Sequence, residues 1–181
     1  MTLFEERGYD RTTVSDIVAR AKLGDRTFFR YFSDKREVLF SGSDALEKLI
    51  IDAVARVPKT AAPLDVVLAA IDATSPMFEA GRAFARRRLA LIASHPELYE
   101  RELAKSTKLA STISTCLRDR GVSQGTAGLL AMTGMVLFQN ALERWVNDAK
   151  NRDLGHHVRK AFAELRAHTA RTGSATRRPR P

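Results

Sequence analysis

Arg26 and its neighbours are the residues whose types and spacing point most directly to a chemistry. Thr12-Thr13 opens a segment in which Val14, Ile17, Val18 and Ala21 recur at the three, four, seven spacing of one helical face. Lys22-Leu23-Gly24 reads as a tight turn, and Asp25 to Phe32 follows with Phe28, Phe29, Tyr31 and Phe32. Two short helices joined by such a turn, apolar faces together, make a helix-turn-helix from Thr13 to Phe32, whose second helix can enter a DNA major groove. The chemistry would be recognition of phosphates and base edges. The same spacing also suits a generic pair of amphipathic helices.

Catalytic patterns are missing from the sequence. It has no phosphate-cradling glycine loop, no metal-spaced His/Cys cluster and no serine nucleophile elbow. His156 and His157 are adjacent, so on a helix they point about 100° apart and make a poor metal pair. Cys116, the single cysteine, has Ile113 and Leu117 as apolar neighbours and reads as a core residue, which leaves no intrachain disulfide. The expectation is a protein that is not an enzyme and uses no cofactor or metal.

The elements that must position the reading residues are helical. The 181 residues are 44% apolar, enough for a buried core, and no apolar run approaches the ~20 residues of a membrane span. Strand patterns are almost absent, and the breakers are widely spaced. The pattern predicts an all-α fold with helices near 1–7, 13–20, 25–31, 34–56, 63–80, 82–94, 96–120, 123–150 and 155–170. Ser33 and Ser123 are expected N-caps, and Pro96 a first helical residue. Formal net charge is +9, and the last eleven residues hold four arginines and no acid. That stretch, rich in Gly, Ser, Thr and Pro, reads as a basic disordered tail that adds non-specific affinity for nucleic acid, or as a solvated extension.

The stretch Leu3-Phe4, Gly8-Tyr9, Thr12-Thr13-Val14, Ile17 and Ala21 resembles the DNA-binding domain of the tetracycline-repressor (TetR) family. Its continuation, Arg26-Thr27-Phe28-Phe29-Arg30-Tyr31-Phe32, Lys35 and Leu39, resembles it too, so the likeness covers about forty residues. Three positions depart from that pattern. Lys22 stands where the family usually has glycine, Gly24 where it has a Ser or Thr cap, and Phe29 where it often has Tyr. The family's first helix begins well before the Leu3-Phe4 pair, after a basic arm. The resemblance therefore implies an incomplete first helix, with either a start upstream of Met1 or a weakened reading head. Within this motif Asp25, Arg26, Thr27 and Phe28 are expected to face the groove, Arg26 taking a guanine bidentately and Phe28 touching a thymine methyl. Thr12, Thr13, Tyr31 and Lys35 are placed for phosphate contacts, while Val14, Ile17, Val18, Phe32 and Leu39 read as core.

Downstream, Phe84, Arg88, Leu91, Ile92 and His95 share one helical face, so an arginine interrupts an apolar stripe. The run from Arg88 to Ile92 with Pro96-Glu97-Leu98, Arg118, Arg120-Gly121 and Trp145 is similar to the sensor domains of mycofactocin-regulator-type proteins. That resemblance implies an acyl-coenzyme A or another amphipathic anion as effector. Phe78, Phe84, Arg88, Met132, Met135 and Phe138 are the candidate ligand contacts. The plainer alternative for Arg88 is pairing with an internal carboxylate such as Asp72 or Glu143. Residues 123–150 are apolar on more than one face, and the last helix has a cleaner stripe. In the family these two helices pair with their copies, so Phe138, Trp145, Val158, Phe162 and Leu165 are the expected homodimer contacts, with burial inside one subunit as the alternative.

The expected organisation is a DNA-binding domain over 1–44, a ligand-binding and dimerisation domain over 45–170 and a tail over 171–181. The expected protein is a cytoplasmic, nucleoid-associated repressor. It would bind a double-stranded operator as a homodimer and be released by a small effector, with no membrane partner. The alternative is a helical, dimer-forming ligand binder whose truncated first helix has cost it DNA binding.

Overall fold

A computed structural model describes residues 2–79 and 81–175 of the chain, with the side chains of Ser43, Glu79 and residues 171–175 left aside. Every regular element among the described residues is helical: α1 (Thr2–Arg7), α2 (Val14–Ala21), α3 (Asp25–Tyr31), α4 (Ser43–Arg56), α5 (Pro63–Asp72), α6 (Pro76–Glu79), α7 (Arg82–Ala93), α8 (Pro96–Asp119), α9 (Gln124–Val146) and α10 (Leu154–Ala175). The helix expected over 34–56 divides into a 3-10 turn, Arg36–Leu39, and α4. Gly42, at φ 88°, takes the left-handed conformation that breaks them apart. The helix expected over 63–80 is interrupted before Pro76, which lacks the N–H that a continuing helix needs. Ser33 is not a cap; the Asp34 carboxylate accepts from the Arg36 and Glu37 amides instead. Ser123 caps α9 by accepting from the Thr126 amide, and Pro96 opens α8. α10 continues to Ala175, five residues into the stretch read as a tail, and residues 176–181 lie outside the described residues.

Two cores hold the molecule. The larger joins α4, α5, α7, α8, α9 and α10 through Ile50, Val67, Ile113, Leu117, Trp145 and Phe162. The smaller joins the N-terminal helices to α7 and α8 through Phe4, Tyr9, Leu39, Phe40, Ile92 and Leu98. α9 packs against α5, α7, α8 and α10 at the centre of the larger core. Gly134 makes the α5–α9 approach possible, since a Cβ there would lie 2.4 Å from Val67 Cγ1 and 2.9 Å from Ile71 Cδ1. The expectation that no stretch has membrane-span length is corrected by this helix: Gln124–Val146 is long and apolar enough to cross a bilayer by length and composition. Its neighbours within the chain account for part of that composition, because a central helix must be apolar on several faces, while Leu129, Met132 and Val136 stay exposed.

Candidate nucleic-acid interface and sensor cavity

Local chemistry fixes the N-terminal head. Thr13 is the N-cap of α2: its hydroxyl accepts from the Asp16 amide, and the Asp16 carboxylate accepts from the Thr13 amide. Arg20 reaches Glu6 with both terminal nitrogens at 3.1 Å, and Arg7 meets Asp16 at 2.5 Å, tying α1 to α2. The turn to α3 runs through Lys22 at φ 54°, ψ 40°, the left-handed conformation in which a Cβ costs about 1–2 kcal/mol. Gly24 then caps α3 with no side-chain acceptor.

α3 divides its residues between core and solvent. Phe28 is 3% exposed and packs on Phe29 and Phe32 at ring separations of 5.4 and 5.3 Å. The expected thymine contact at Phe28 is therefore corrected: this ring belongs to the core of the head. Arg26, Phe29 and Arg30 lie at the i, i+3, i+4 spacing and all are exposed, so they form the outward face. Asp25 is exposed beside them, and Thr27 is half-buried. Tyr31 is also exposed and accepts from Arg30 at 3.2 Å. Phe29, noted in the sequence only for its lost hydroxyl, replaces Phe28 as the outward aromatic.

Two expected phosphate contacts have other employment. Thr12 is 1% exposed, and its hydroxyl donates to the Gly8 carbonyl at 2.8 Å and lies 3.3 Å from that of Leu3. The Lys35 ammonium donates to the carbonyls of Tyr9, Thr12 and Asp10 at 2.8, 3.1 and 3.3 Å and lies 4.3 Å from the Tyr9 ring centroid. An ammonium has three donors, so Lys35 has none left for a phosphate. Both side chains fasten the loop between α1 and α2. The sequence spacing located them but not the three carbonyls that converge there.

At the junction between the head and the larger domain, the Phe40 ring is buried among cations. The guanidinium carbons of Arg88 and Arg101 lie 4.9 and 5.4 Å from its centroid, and Lys105 Nζ lies 5.9 Å away. Arg88 donates through Nε to the Leu39 carbonyl at 2.8 Å and pairs with Glu102 at 2.5 Å. Its partner is thus neither Asp72 nor Glu143. Arg101 pairs with Glu37 at 2.5 Å, and that bond holds the Glu37 carboxyl below its ordinary range. Burial, then the Arg88 charge, pushes the Lys105 ammonium down to about 8. Burial, then Glu97, pushes the neighbouring Tyr9 phenol up to about 12.

An apolar cavity of about 20 Å³ lies within the larger domain, lined by Leu46, Ile50, Ile71, Thr74, Leu109, Met135 and Phe138. Met135 and Phe138 are where the sequence reading put ligand contacts, and Phe78 stacks edge-on against Phe138 at 5.7 Å. Phe84 and Met132 are exposed, so they are corrected from cavity to surface. Leu46, Ile50 and Leu109 escaped the sequence reading because their convergence depends on the α4–α8 contact. Trp145, Val158 and Phe162 fill the interior of one subunit, with at most 1% exposure, so they cannot meet a partner. Leu165 and Phe138 are half-buried. The large apolar side chains that α9 leaves to solvent are Leu129, Met132 and Val136, exposed by 68, 51 and 60%.

Residues 1–41 match the bacterial regulatory proteins of the tetR family, and residues 61–170 match the MftR C-terminal domain. The HTH-type transcriptional regulator TcmR of Streptomyces glaucescens is 33% identical over 73 residues, 40% of this chain. That match spans about a third of the relative's own length (32%). Among solved structures, Thermus thermophilus FadR, described as a TetR family transcriptional repressor in complex with lauroyl-CoA, aligns at 21% identity and TM-score 0.58. The alignment covers 91% of this chain and 88% of that one. The TetR family transcriptional regulator PfmR of Thermus thermophilus aligns at 23% identity and TM-score 0.48, covering 90% and 91%. With both parts of the chain matched in order, and the helix-turn-helix placed on a helical bundle, the chain belongs to the tetR family of bacterial regulatory proteins.

Proposed function

We propose that this protein is a homodimeric transcriptional repressor that binds a double-stranded DNA operator through α3 and is released by a small amphipathic effector. The observation that carries the reading is the outward face of α3. Arg26, Phe29 and Arg30 project from a helix whose opposite side is locked by Phe28, and Arg26 makes no hydrogen bond or ion pair among the described residues. An unengaged arginine near the start of such a helix suits bidentate recognition of guanine. Reading successive major grooves of a two-fold operator requires two heads about 34–36 Å apart. The exposed Leu129, Met132 and Val136 supply an apolar face on α9 through which a second copy would set that spacing. For the effector, the FadR neighbour described with lauroyl-CoA supports an acyl-coenzyme A or a related anion. Such a protein would work on the nucleoid in the cytoplasm. The test is selection from a random duplex library by the full chain, with light scattering for mass. Enrichment of a two-fold site by a dimer supports the reading; no enrichment, or a monomer, refutes it.

A further inference from the structure

Arginines stand on α7 at positions 82, 86, 87 and 88, and each grips a group elsewhere in the fold. Arg86 donates through Nε to the Val146 carbonyl at 2.9 Å, and its Nη2 reaches the same oxygen. Arg82 donates to the Asp148 carbonyl at 3.2 Å and to the Arg152 carbonyl. Its guanidinium carbon lies 5.0 Å from the centroid of the Trp145 ring. Val146 ends α9, so its carbonyl has no partner within the helix. Two cations there also suit the negative end of the helix dipole. Arg87 pairs with Glu5 of α1 at 2.5 Å, and Arg88 holds the Leu39 carbonyl at 2.8 Å.

Residues 86 and 88 stand about 200° apart around a helix, so these grips leave α7 on opposite sides. One side holds the end of α9, and the other holds the reading head. The run Arg86-Arg87-Arg88 is thus no free basic patch for phosphates, since each guanidinium is already engaged. In a dimer joined through α9, the separation of the heads follows from the angle each head keeps to that helix. A planar guanidinium fixes a carbonyl in direction as well as distance, which an apolar contact does not. We propose that Arg82 and Arg86 are positioning residues for DNA reading: by fastening α7 to the end of α9, they set which half-site separation the dimer accepts. This rests on the reading of the chain as an operator binder that dimerises through α9, and it adds the residues that give that dimer its spacing. Arg101 of α8 also holds the head, through Glu37, so cutting the α7 link should loosen the angle without releasing the head.

The experiment is a fluorescence anisotropy titration of the full chain against the duplex it selects. The same duplex with one or two base pairs inserted or removed between its half-sites completes the series. Wild type is compared with Arg86→Met and Arg82→Met, each replaced by its glutamine variant if circular dichroism shows it unfolded. Sedimentation gives the mass. Wild type should lose about 10-fold or more in affinity at each changed separation, because its two heads then miss successive grooves. Each variant should stay dimeric and keep its base preference within a half-site. It should bind the selected duplex about 10-fold more weakly than wild type and depend far less on separation. Destabilisation alone lowers the active fraction equally for every duplex and leaves that profile unchanged. Variants with the wild-type profile, at any affinity, would therefore overturn the positioning role and leave the dimeric operator reading intact. A variant that turned monomeric would overturn it too, placing these arginines in assembly. A wild type that is monomeric or selects no two-fold duplex would overturn both.

Discussion

The Nε of Arg88 donates to the main-chain carbonyl of Leu39 at 2.8 Å, so a helix of the larger domain holds the last residue of the turn that closes the reading head. The same guanidinium is neutralised by Glu102 on α8. Breaking a half-buried pair leaves the survivor unpaired, and Arg88→Met should therefore lower stability by about 2–3 kcal/mol. Urea denaturation of Arg88→Met, Glu102→Gln and the double variant provides the check. A coupling energy of about 1–2 kcal/mol is expected, and additive effects would mean that the pair does not bind the two helices together.

Lys22→Gly should stabilise the head. Lys22 holds φ 54° with no glycine to relieve it. Removing the Cβ recovers about 1–2 kcal/mol of strain, less about 0.5–1 kcal/mol for the freedom that glycine gains when unfolded. The net gain, up to about 1.5 kcal/mol, is measurable in a urea midpoint with an unchanged slope. A loss of stability would show that the turn is not strained.

How much of this was legible in the sequence depends on what each residue answers to. The head could be read because α2 and α3 are local: cap, turn and apolar spacing all fall within twenty residues of Thr13. The assignment of individual side chains was less secure. Thr12 and Lys35 look like phosphate ligands until the Gly8, Tyr9 and Asp10 carbonyls are placed around them, and those contacts depend on how a loop folds back. Phe28 and Phe29 differ by 100° on one helix, and only the packing of Phe28 against Phe32 tells which ring is inside. In the larger domain, α9 is apolar all round, so periodicity could not separate its core face from its outer one. Trp145 and Val136 are equally apolar in the sequence, and one is buried and the other exposed.

That separation has a direct consequence for assembly. Val136→Glu places a charge on an exposed face and should leave the fold intact while giving a monomer, because an unpaired charge at the proposed interface is strongly disfavoured. Phe162→Glu places the same charge in the core of one subunit and should unfold it. Sedimentation velocity with circular dichroism reads both outcomes. A dimer that survives Val136→Glu would move the interface away from this face.

Acid sensitivity should arise at the α9–α10 connection. The His157 ring, buried beside Asp148 with Nε2 3.2 Å from Oδ2, is pushed down by burial, and the Asp148 contact opposes this only in part. Arg152, hydrogen-bonded to Asp148, and His156 are the other titratable groups around it. The Asp148 carboxyl is held far below its usual range, chiefly by the Arg152 hydrogen bond, and stays charged throughout. An unfolded histidine takes up its proton near pH 6.5. Between that pH and the lower folded value the unfolded chain binds more protons, so stability falls as the pH falls. The urea midpoint of wild type should drop from about pH 7 to about pH 5.5, and His157→Gln should flatten that limb. An identical slope in the variant would place the sensitivity elsewhere.

The measurement that bears most directly on a DNA-reading function is a fluorescence anisotropy titration of the full chain against the duplex it selects. Wild type is compared with Arg26→Ala and with single base-pair changes across each half-site. If Arg26 reads a guanine from the outward face of α3, its removal should weaken binding by about 1–3 kcal/mol and erase discrimination at one base pair per half-site. Unchanged affinity and unchanged sequence preference in Arg26→Ala would contradict recognition through that face.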